Sequence, residues 1–390
     1  MIAPKLRFSE FKDEWQSEKL GKVIDISSAS RVFKEQWQES GIPFFRTSDV
    51  VSIFKNTTNE KAFISNELYE ELAKKSGKIQ KDDLLITGGG SIGIPYLVKD
   101  NKPLYFKDAD VLWLKSSGKI NGSYLYNFFV SPKFREYLKS ISHTGTISHF
   151  TIEQAKMTPI VLPSIPEQTK IAEFLSVVDD KISQLSRQLE LLNEYKKGVM
   201  QKIFSQEIRF KNDNGEDFGE WEEIQLKDIF TIKAGGDIDK KNVSEIKNSE
   251  FHYPIFANSD RNKGFYGWSN QFKHENAITV TGRGNLGIAV ARNEKFFPIV
   301  RLLVLLPKET VSLKFFEEQI NQLNIVSEST GVPQLTAPQL SNYFVLKSCY
   351  EEQKKIAEFL TAIDERIEHT TAQLTHTKQW KKGLLQQMFV

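Results

Sequence analysis

Two glycine runs come closest to a chemical motif. Gly88-x-Gly90-x-x-Gly93 and Gly282-x-Gly284-x-x-Gly287 share the spacing that lets a backbone wrap a dinucleotide pyrophosphate. That chemistry needs a strand entering and a helix leaving, because the helix N-terminus holds the phosphate. Here Ile94-Pro95-Tyr96-Leu97-Val98 and Ile288-Ala289-Val290-Ala291 follow, and both read as strands. A strand–turn–strand hairpin offers no helix dipole. The glycines are therefore expected to make tight turns with positive φ, or to let backbone approach a ligand closely. Ser91, Arg283 and Asn285 lie among them as polar side chains able to read that ligand.

Other chemistries lack their residues. No Gly-Lys pair is followed by Ser or Thr, so no phosphate loop for an ATP motor is expected. No Asn-Pro-Pro-Tyr tetrapeptide occurs, so the pocket amino-methyltransferases use for a flipped base is not encoded. His-Glu-x-x-His and Gly-x-Ser-x-Gly are also missing. The one cysteine, Cys349, has no partner for a disulfide or zinc cluster, and the six histidines show no ligand spacing. The many Asp and Glu residues read as solvated surface. No catalytic residue and no metal site are expected. A net charge of +2 excludes a protein that coats nucleic acid by bulk charge, but not one with a local basic face.

The elements that must position these residues are organised by a repeat. Glu167-Gln168-Thr169-Lys170-Ile171-Ala172-Glu173-Phe174-Leu175 returns, 185 residues on, as Glu352-Gln353-Lys354-Lys355-Ile356-Ala357-Glu358-Phe359-Leu360. The same offset carries Tyr195-Lys196-Lys197-Gly198 onto Trp380-Lys381-Lys382-Gly383. Both copies read as long helices. In the first, Ile171, Leu175, Val178, Ile182, Leu185, Leu189, Leu192, Val199 and Ile203 alternate in steps of four and three, with only Lys196 interrupting. That is a heptad seam, to be buried against another helix. The second keeps Ile356, Leu360, Ile363, Ile367, Leu374, Leu384 and Met388 in phase, with Thr370 and Thr377 mid-seam. A seam on each helix implies that the two pack on each other.

The segments before each helix also correspond. Arg7-Phe8 with Glu14-Trp15 matches Arg209-Phe210 with Glu220-Trp221. Pro43-Phe44-Phe45-Arg46-Thr47-Ser48-Asp49 matches Pro254-Ile255-Phe256-Ala257-Asn258-Ser259-Asp260. Thr144-Gly145 and Thr330-Gly331 precede the two helices at like distances. Between these anchors the globules differ greatly, and both mix short β-type runs (Asp83–Thr87, Val111–Leu114, Ile299–Leu305) with occasional helices such as Asn66–Lys75. The expected fold class is α+β: two mixed globules separated by two long antiparallel helices forming a coiled coil, with an internal pseudo-two-fold repeat. The boundaries are 1–162 and 207–346 for the globules, and 163–206 and 347–390 for the helices. Met1 to Trp15 lacks the apolar region of a secretory signal, and no apolar run approaches the roughly 20 residues needed to span a bilayer. A cytoplasmic protein that makes no membrane contact is expected.

This arrangement resembles the specificity subunits of Type I restriction-modification systems over essentially the whole chain. The marks are the two Glu-Gln-x-Lys-Ile-Ala-Glu-Phe-Leu helices ending in Lys-Lys-Gly, the two Thr-Gly-x-Gly-x-x-Gly turns, and the opening Leu6-Arg7-Phe8 with Glu14-Trp15. The resemblance implies that each globule is a target-recognition domain reading one half of a split DNA site. It implies that the helices space the globules and dock two methyltransferase subunits. S-adenosylmethionine would then sit on those partners, and ATP and Mg on further restriction and translocase subunits, with no cofactor bound by this chain directly. The chain itself would be a non-catalytic subunit. Two rival expectations are a coiled-coil scaffold without DNA readout, and a nucleotide-dependent enzyme built on the glycine runs.

Base reading in the major groove favours polar side chains on exposed loops. The candidates are Arg46, Thr47, Ser48, Ser91, Thr146, Ser148 and His149 in the first globule. In the second they are Asn258, Ser259, Arg261, Arg283, Asn285 and Gln334, with Pro333 shaping the last loop. Lys74, Lys75, Lys78, Lys240, Lys241 and Lys263 are candidates for phosphate contacts, which fix register without specifying sequence.

Overall fold

A computed structural model describes residues 3–141, 149–325 and 334–390. The chain divides into two compact units. Unit 1 holds residues 1–186 and 372–390, and unit 2 holds 187–371.

Among the described residues, unit 1 contains nine strands: β1 (Gln16–Lys19), β2 (Asp25–Ser27), β3 (Ile42–Phe45), β4 (Ala62–Ile64), β5 (Leu84–Thr87), β6 (Pro95–Leu97), β7 (Tyr105–Phe106), β8 (Val111–Lys115) and β9 (Pro159–Leu162). They form an antiparallel pair β1-β9, a four-stranded antiparallel sheet β2-β8-β5-β6, and a three-stranded sheet β4-β3-β7. The described residues of unit 2 contain ten: β10 (Glu222–Gln225), β11 (Phe230–Ala234), β12 (Val243–Ser244), β13 (Tyr253–Phe256), β14 (Phe265–Ser269), β15 (Ala277–Val280), β16 (Ala289–Arg292), β17 (Phe297–Pro298), β18 (Leu303–Pro307) and β19 (Phe344–Lys347). The pair β10-β19 and the sheet β11-β18-β15-β16 reproduce the first unit's order. So does a parallel strand pair in each unit, β3 with β7 and β13 with β17.

The near-continuous apolar runs have a physical reason. In β5 and β8, Leu84, Ile86, Leu112 and Leu114 face one core, where Phe128, Phe129 and Phe134 pack. Alternate residues Leu85, Val111 and Trp113 face a second core with Phe106. A sheet buried on both faces cannot show polar alternation. The run expected over Ile299–Leu305 is not one strand. Val300 and Arg301 are exposed with φ of 55° and 59°, so the chain turns there and β18 starts only at Leu303. The helix expected at Asn66 runs Asn66–Ser76, with Ser65 Oγ accepting from Leu68 N and Gly77 ending it at φ 91°.

The two long helices are Ile165–Phe204 and Tyr350–Met388. In unit 1, Ile171, Leu175 and Val178 share a core with Leu384, Leu385 and Met388, and Asp179 bonds Lys381. Glu167 lies by Trp15, which packs on Tyr124, which packs on Phe389. In unit 2, Ile203 shares a core with Ile356, Leu360 and Ile363, and Lys196 bonds Asp364. In each unit the later residues of one helical segment thus meet the earlier residues of the other, an antiparallel sense. Leu185, Leu192 and Leu374 are buried, and Ile182, Leu189, Val199 and Ile367 are half-buried. Thr370 is buried too, its hydroxyl satisfied by the Arg366 carbonyl one turn back.

The repeated motif residues are anchors. Glu167 accepts from Arg7 Nε and Nη2 at 2.7 and 2.9 Å and from Trp15 Nε1 at 3.3 Å. Glu352 accepts from Arg209 at 2.8 and 3.0 Å and from Trp221 Nε1 at 2.7 Å. Gln168 donates to the Pro163 carbonyl and accepts from Asn121 N, while Gln353 donates to Ser348 and accepts from Ser312 N. Both glutamates are essentially inaccessible, and a buried carboxylate persists only when paired and hydrogen-bonded. The bidentate bond to Glu167 raises the Arg7 pKa, and the bond to Glu352 does the same for Arg209.

Candidate nucleic-acid interface

In each unit the glycine run joins two antiparallel strands, β5 to β6 and β15 to β16. Thr87 organises the first turn: its hydroxyl donates to the Ser91 carbonyl and accepts from Ile94 N at 2.9 Å. Thr281 does the same with the Asn285 carbonyl and Ile288 N. The first glycine is required by crowding. A Cβ on Gly88 would stand 2.8 Å from the Phe150 carbonyl oxygen, and one on Gly282 would stand 2.8 Å from that of Leu335. The last glycine is required by conformation as well, with φ of 71° at Gly93 and 82° at Gly287. No helix follows either turn, so the pyrophosphate geometry is not built.

The close approach has a purpose in the fold. Phe150 N donates to the Gly88 carbonyl at 2.7 Å, and Leu335 N to that of Gly282 at 2.9 Å. Gly89 bridges His149, and Arg283 bridges Gln334. Each hairpin therefore holds a segment that arrives from far along the chain.

In unit 1 this end gathers several of the expected residues. A Cβ on Gly90 would touch Thr47 Cγ2, and Thr47 Oγ1 donates to the Asp110 carbonyl at 3.3 Å. Ser48, Ser91 and His149 are exposed. Asp110 pairs with Lys107 at 2.6 Å and lies 3.9 Å from His149 Nε2. Arg46 is also engaged within the fold. It stacks 5.5 Å from the Trp37 ring, bonds Asp49 at 2.8 Å and donates to the Glu60 carbonyl. Its bond to Asp49 raises its pKa, and the guanidinium fastens the start of the helix Thr47–Lys55. Thr146 and Ser148, with Thr144-Gly145, lie outside the described residues.

In unit 2 the corresponding end is knit by amides. Asn258 accepts from Gly282 N at 2.7 Å and donates to the Val300 carbonyl. Asn285 donates to Asp260 at 2.6 Å, and Ser259 Oγ accepts from Arg261 N at 3.1 Å. Arg261, Arg283 and Arg301 are exposed and Gln334 is half-buried. Pro333 and Thr330-Gly331 lie outside the described residues. Arg292, behind this end, sits 3.5 Å from the Phe256 ring centroid, and burial lowers its pKa to about 10.

The lysines are placed differently. Lys75 and Lys78 pair with Glu71 and Glu70, Lys241 with Asp239, and Lys263 with Glu368, all well exposed. Lys74 and Lys240 are exposed. Of these six, Lys263 reaches a hairpin through its backbone, its carbonyl accepting from Arg292 at the end of β16, and the structure adds Lys107, Asp110, Asp260 and Arg301 to the loop ends. Asp260 was visible as the repeat partner of Asp49, but its bond to Asn285 depends on a residue 25 positions away. Among the described residues, no group of three or more His, Cys, Asp or Glu is arranged to hold a metal, and no helix is long and apolar enough to cross a membrane.

Comparison with known proteins decides what kind of frame this is. The family model for the Type I restriction modification DNA specificity domain matches twice, over residues 12–194 and 219–376. The chain belongs to this family. The two matches coincide with the two halves of the repeat. Among relatives of this family member, the Type I restriction enzyme MjaVIII specificity subunit of Methanocaldococcus jannaschii is 24% identical over 96% of this chain and 91% of its own. The MjaIX specificity subunit of the same organism is 27% identical over 59% of this chain and 55% of its own. Among solved structures, the S subunit of a Type I restriction-modification system from M. genitalium superposes with a TM-score of 0.69 at 17% identity, covering 100% of this chain and 99% of that one. A chain from a structure of Type I R-M complex assembly and conformational transition gives a TM-score of 0.56 at 15% identity, covering 96% and 97%. Both establish the shared fold of mixed, duplicated units.

Proposed function

We propose that this chain is the DNA sequence-recognition subunit of a Type I restriction-modification complex, each unit reading one half of a bipartite target. The observation that carries this is the duplicated frame with unlike ends. The same hairpin, bridge and anchors recur, yet they present Thr47, Ser48, Ser91 and His149 in one unit and Arg261, Arg283, Asn285 and Arg301 in the other. Direct readout depends on such donors and acceptors at base edges, so unlike sets suit unlike half-sites.

In this reading the long helices form an antiparallel coiled coil, and the units are related by a pseudo-two-fold axis. A single chain then imitates the dimers that read half-sites about one helical turn apart. The helices also dock two methyltransferase subunits. S-adenosylmethionine belongs to those partners, and ATP and Mg to restriction subunits that translocate and cut. The chain works in the cytoplasm, performs no catalysis and binds no cofactor directly. Phosphate contacts from the six exposed lysines give a weak, salt-sensitive component of DNA affinity. The test is long-read methylation mapping in cells with and without this chain, expressed beside its methyltransferase. A split motif that appears only with the chain supports the reading. Unchanged methylation sinks it and leaves a protein scaffold.

A further inference from the structure

Each unit carries a cleft beside a long-helix segment, and the repeat relates the two clefts. Lys378, Lys381, Lys382 and Leu385 line a cavity of about 600 Å³ in unit 1. The positions 185 residues earlier, Asn193, Lys196, Lys197 and Met200, line one of about 530 Å³ in unit 2. The position is shared, but the charge is not.

In the first cleft two cations are already engaged. Lys381 bonds Asp179, and Arg135 donates to the carbonyls of Ile92 and Gly93, at the base of the glycine hairpin. Lys139, Lys378 and Lys382 are exposed, and no carboxylate bonds them among the described residues. One acid, Glu136, lines the same cleft. In the second cleft Lys196 is neutralised by Glu318 at 2.8 Å and Asp364 at 2.7 Å, which leaves Lys197 among amides. The first cleft is therefore cationic and the second close to neutral.

The floor of the first cleft is apolar: Val130, Pro132, Ile182 and Leu385. A DNA backbone would use the charges but has nothing to lay on that floor. We propose that the first cleft binds an acidic amphipathic segment of a partner protein. The segment's apolar side lies on this floor and its carboxylates reach Lys139, Lys378 and Lys382. Charge complementarity of this kind selects the partner and speeds its approach. The second cleft lacks it, so two copies of one partner dock unequally. Naming that partner as the methyltransferase subunit rests on the reading above; the acidic segment itself does not.

The test titrates full-length chain with a fluorescent helix-forming peptide that carries leucines on one face and glutamates on the other. Lys378→Glu with Lys382→Glu should weaken binding by about tenfold or more, and Lys378→Gln with Lys382→Gln by less. Lys197→Glu in the second cleft should leave binding unchanged. Circular dichroism of each variant checks that these exposed substitutions preserve the fold. Equal losses from both clefts, or none from the first, would overturn the proposal. So would displacement of the peptide by random duplex DNA, together with an equal loss of DNA affinity in the same variants, since the cleft would then be a phosphate site. A failed DNA-reading role shows instead as absent site-specific methylation, which this titration does not measure.

Discussion

The two units are alike where they are anchored and unlike where they face outward. Both clamp a glutamate from a long helix with an arginine and a tryptophan, and both hold a distant segment on the first glycine of a hairpin. Between β3 and β5, unit 1 inserts the helices Thr47–Lys55 and Asn66–Ser76. Between β13 and β15, unit 2 places a short turn and β14. The lesson is a division of labour: buried ion pairs and close backbone contacts hold the frame, and solvent-facing insertions are free to differ.

The strongest test of the likeness is removal of the buried acceptor. Glu167→Ala and Glu352→Ala each strand an arginine and an indole N–H, and each should cost about 3–5 kcal/mol in urea unfolding. A clear inequality between the two would break the equivalence of the frames. Next come the interhelical pairs. Asp364 is shared by Lys196 and Lys314, beside Glu318, whereas Asp179 holds Lys381 from a more exposed position. Asp364→Asn should therefore cost roughly 2 kcal/mol and Asp179→Asn under about 1 kcal/mol.

This difference carries a pH signature. Burial pushes the Asp364 carboxyl upward, but the hydrogen bonds and charges of Lys196 and Lys314 prevail and hold it below its ordinary value of 3.8. A depressed folded-state pKa contributes stability that is complete above the unfolded value and lost as pH falls through the folded one. The cost of Asp364→Asn should thus shrink below pH ~4, as denaturant titrations at several pH values would show. An effect of comparable size to that of Asp364→Asn is expected at the hairpins. Gly88→Ala and Gly282→Ala should each cost about 1–3 kcal/mol, because the new Cβ meets a carbonyl oxygen. Smallest of all, Lys75→Ala should leave the urea unfolding midpoint essentially unchanged, since the Lys75–Glu71 pair is exposed and screened by solvent.

Much of this was legible in the sequence, for identifiable reasons. The helices announced themselves through a heptad seam, and the hairpins through glycines followed by β-type residues, because both are local patterns. The repeat revealed that Glu167 and Glu352 matter, but not that Arg7, Trp15, Arg209 and Trp221 bind them, since those partners are 131 to 160 residues away. Arg46, a candidate reader of bases, has Asp49, Glu60 and Trp37 as partners within the fold, and only the last two require the fold to find. The apolar run at Ile299–Leu305 concealed a turn, because left-handed φ at Val300 and Arg301 has no glycine to signal it.

The central claim is that each unit reads its own half of a split DNA site. Methylation mapping of a strain carrying Arg283→Ala with Asn285→Ala tests it most directly, because these exposed side chains belong to unit 2 alone. The account predicts altered or relaxed bases in one half of the motif, with the other half and the spacer unchanged. Loss of preference in both halves at once, or an identical motif, would contradict it.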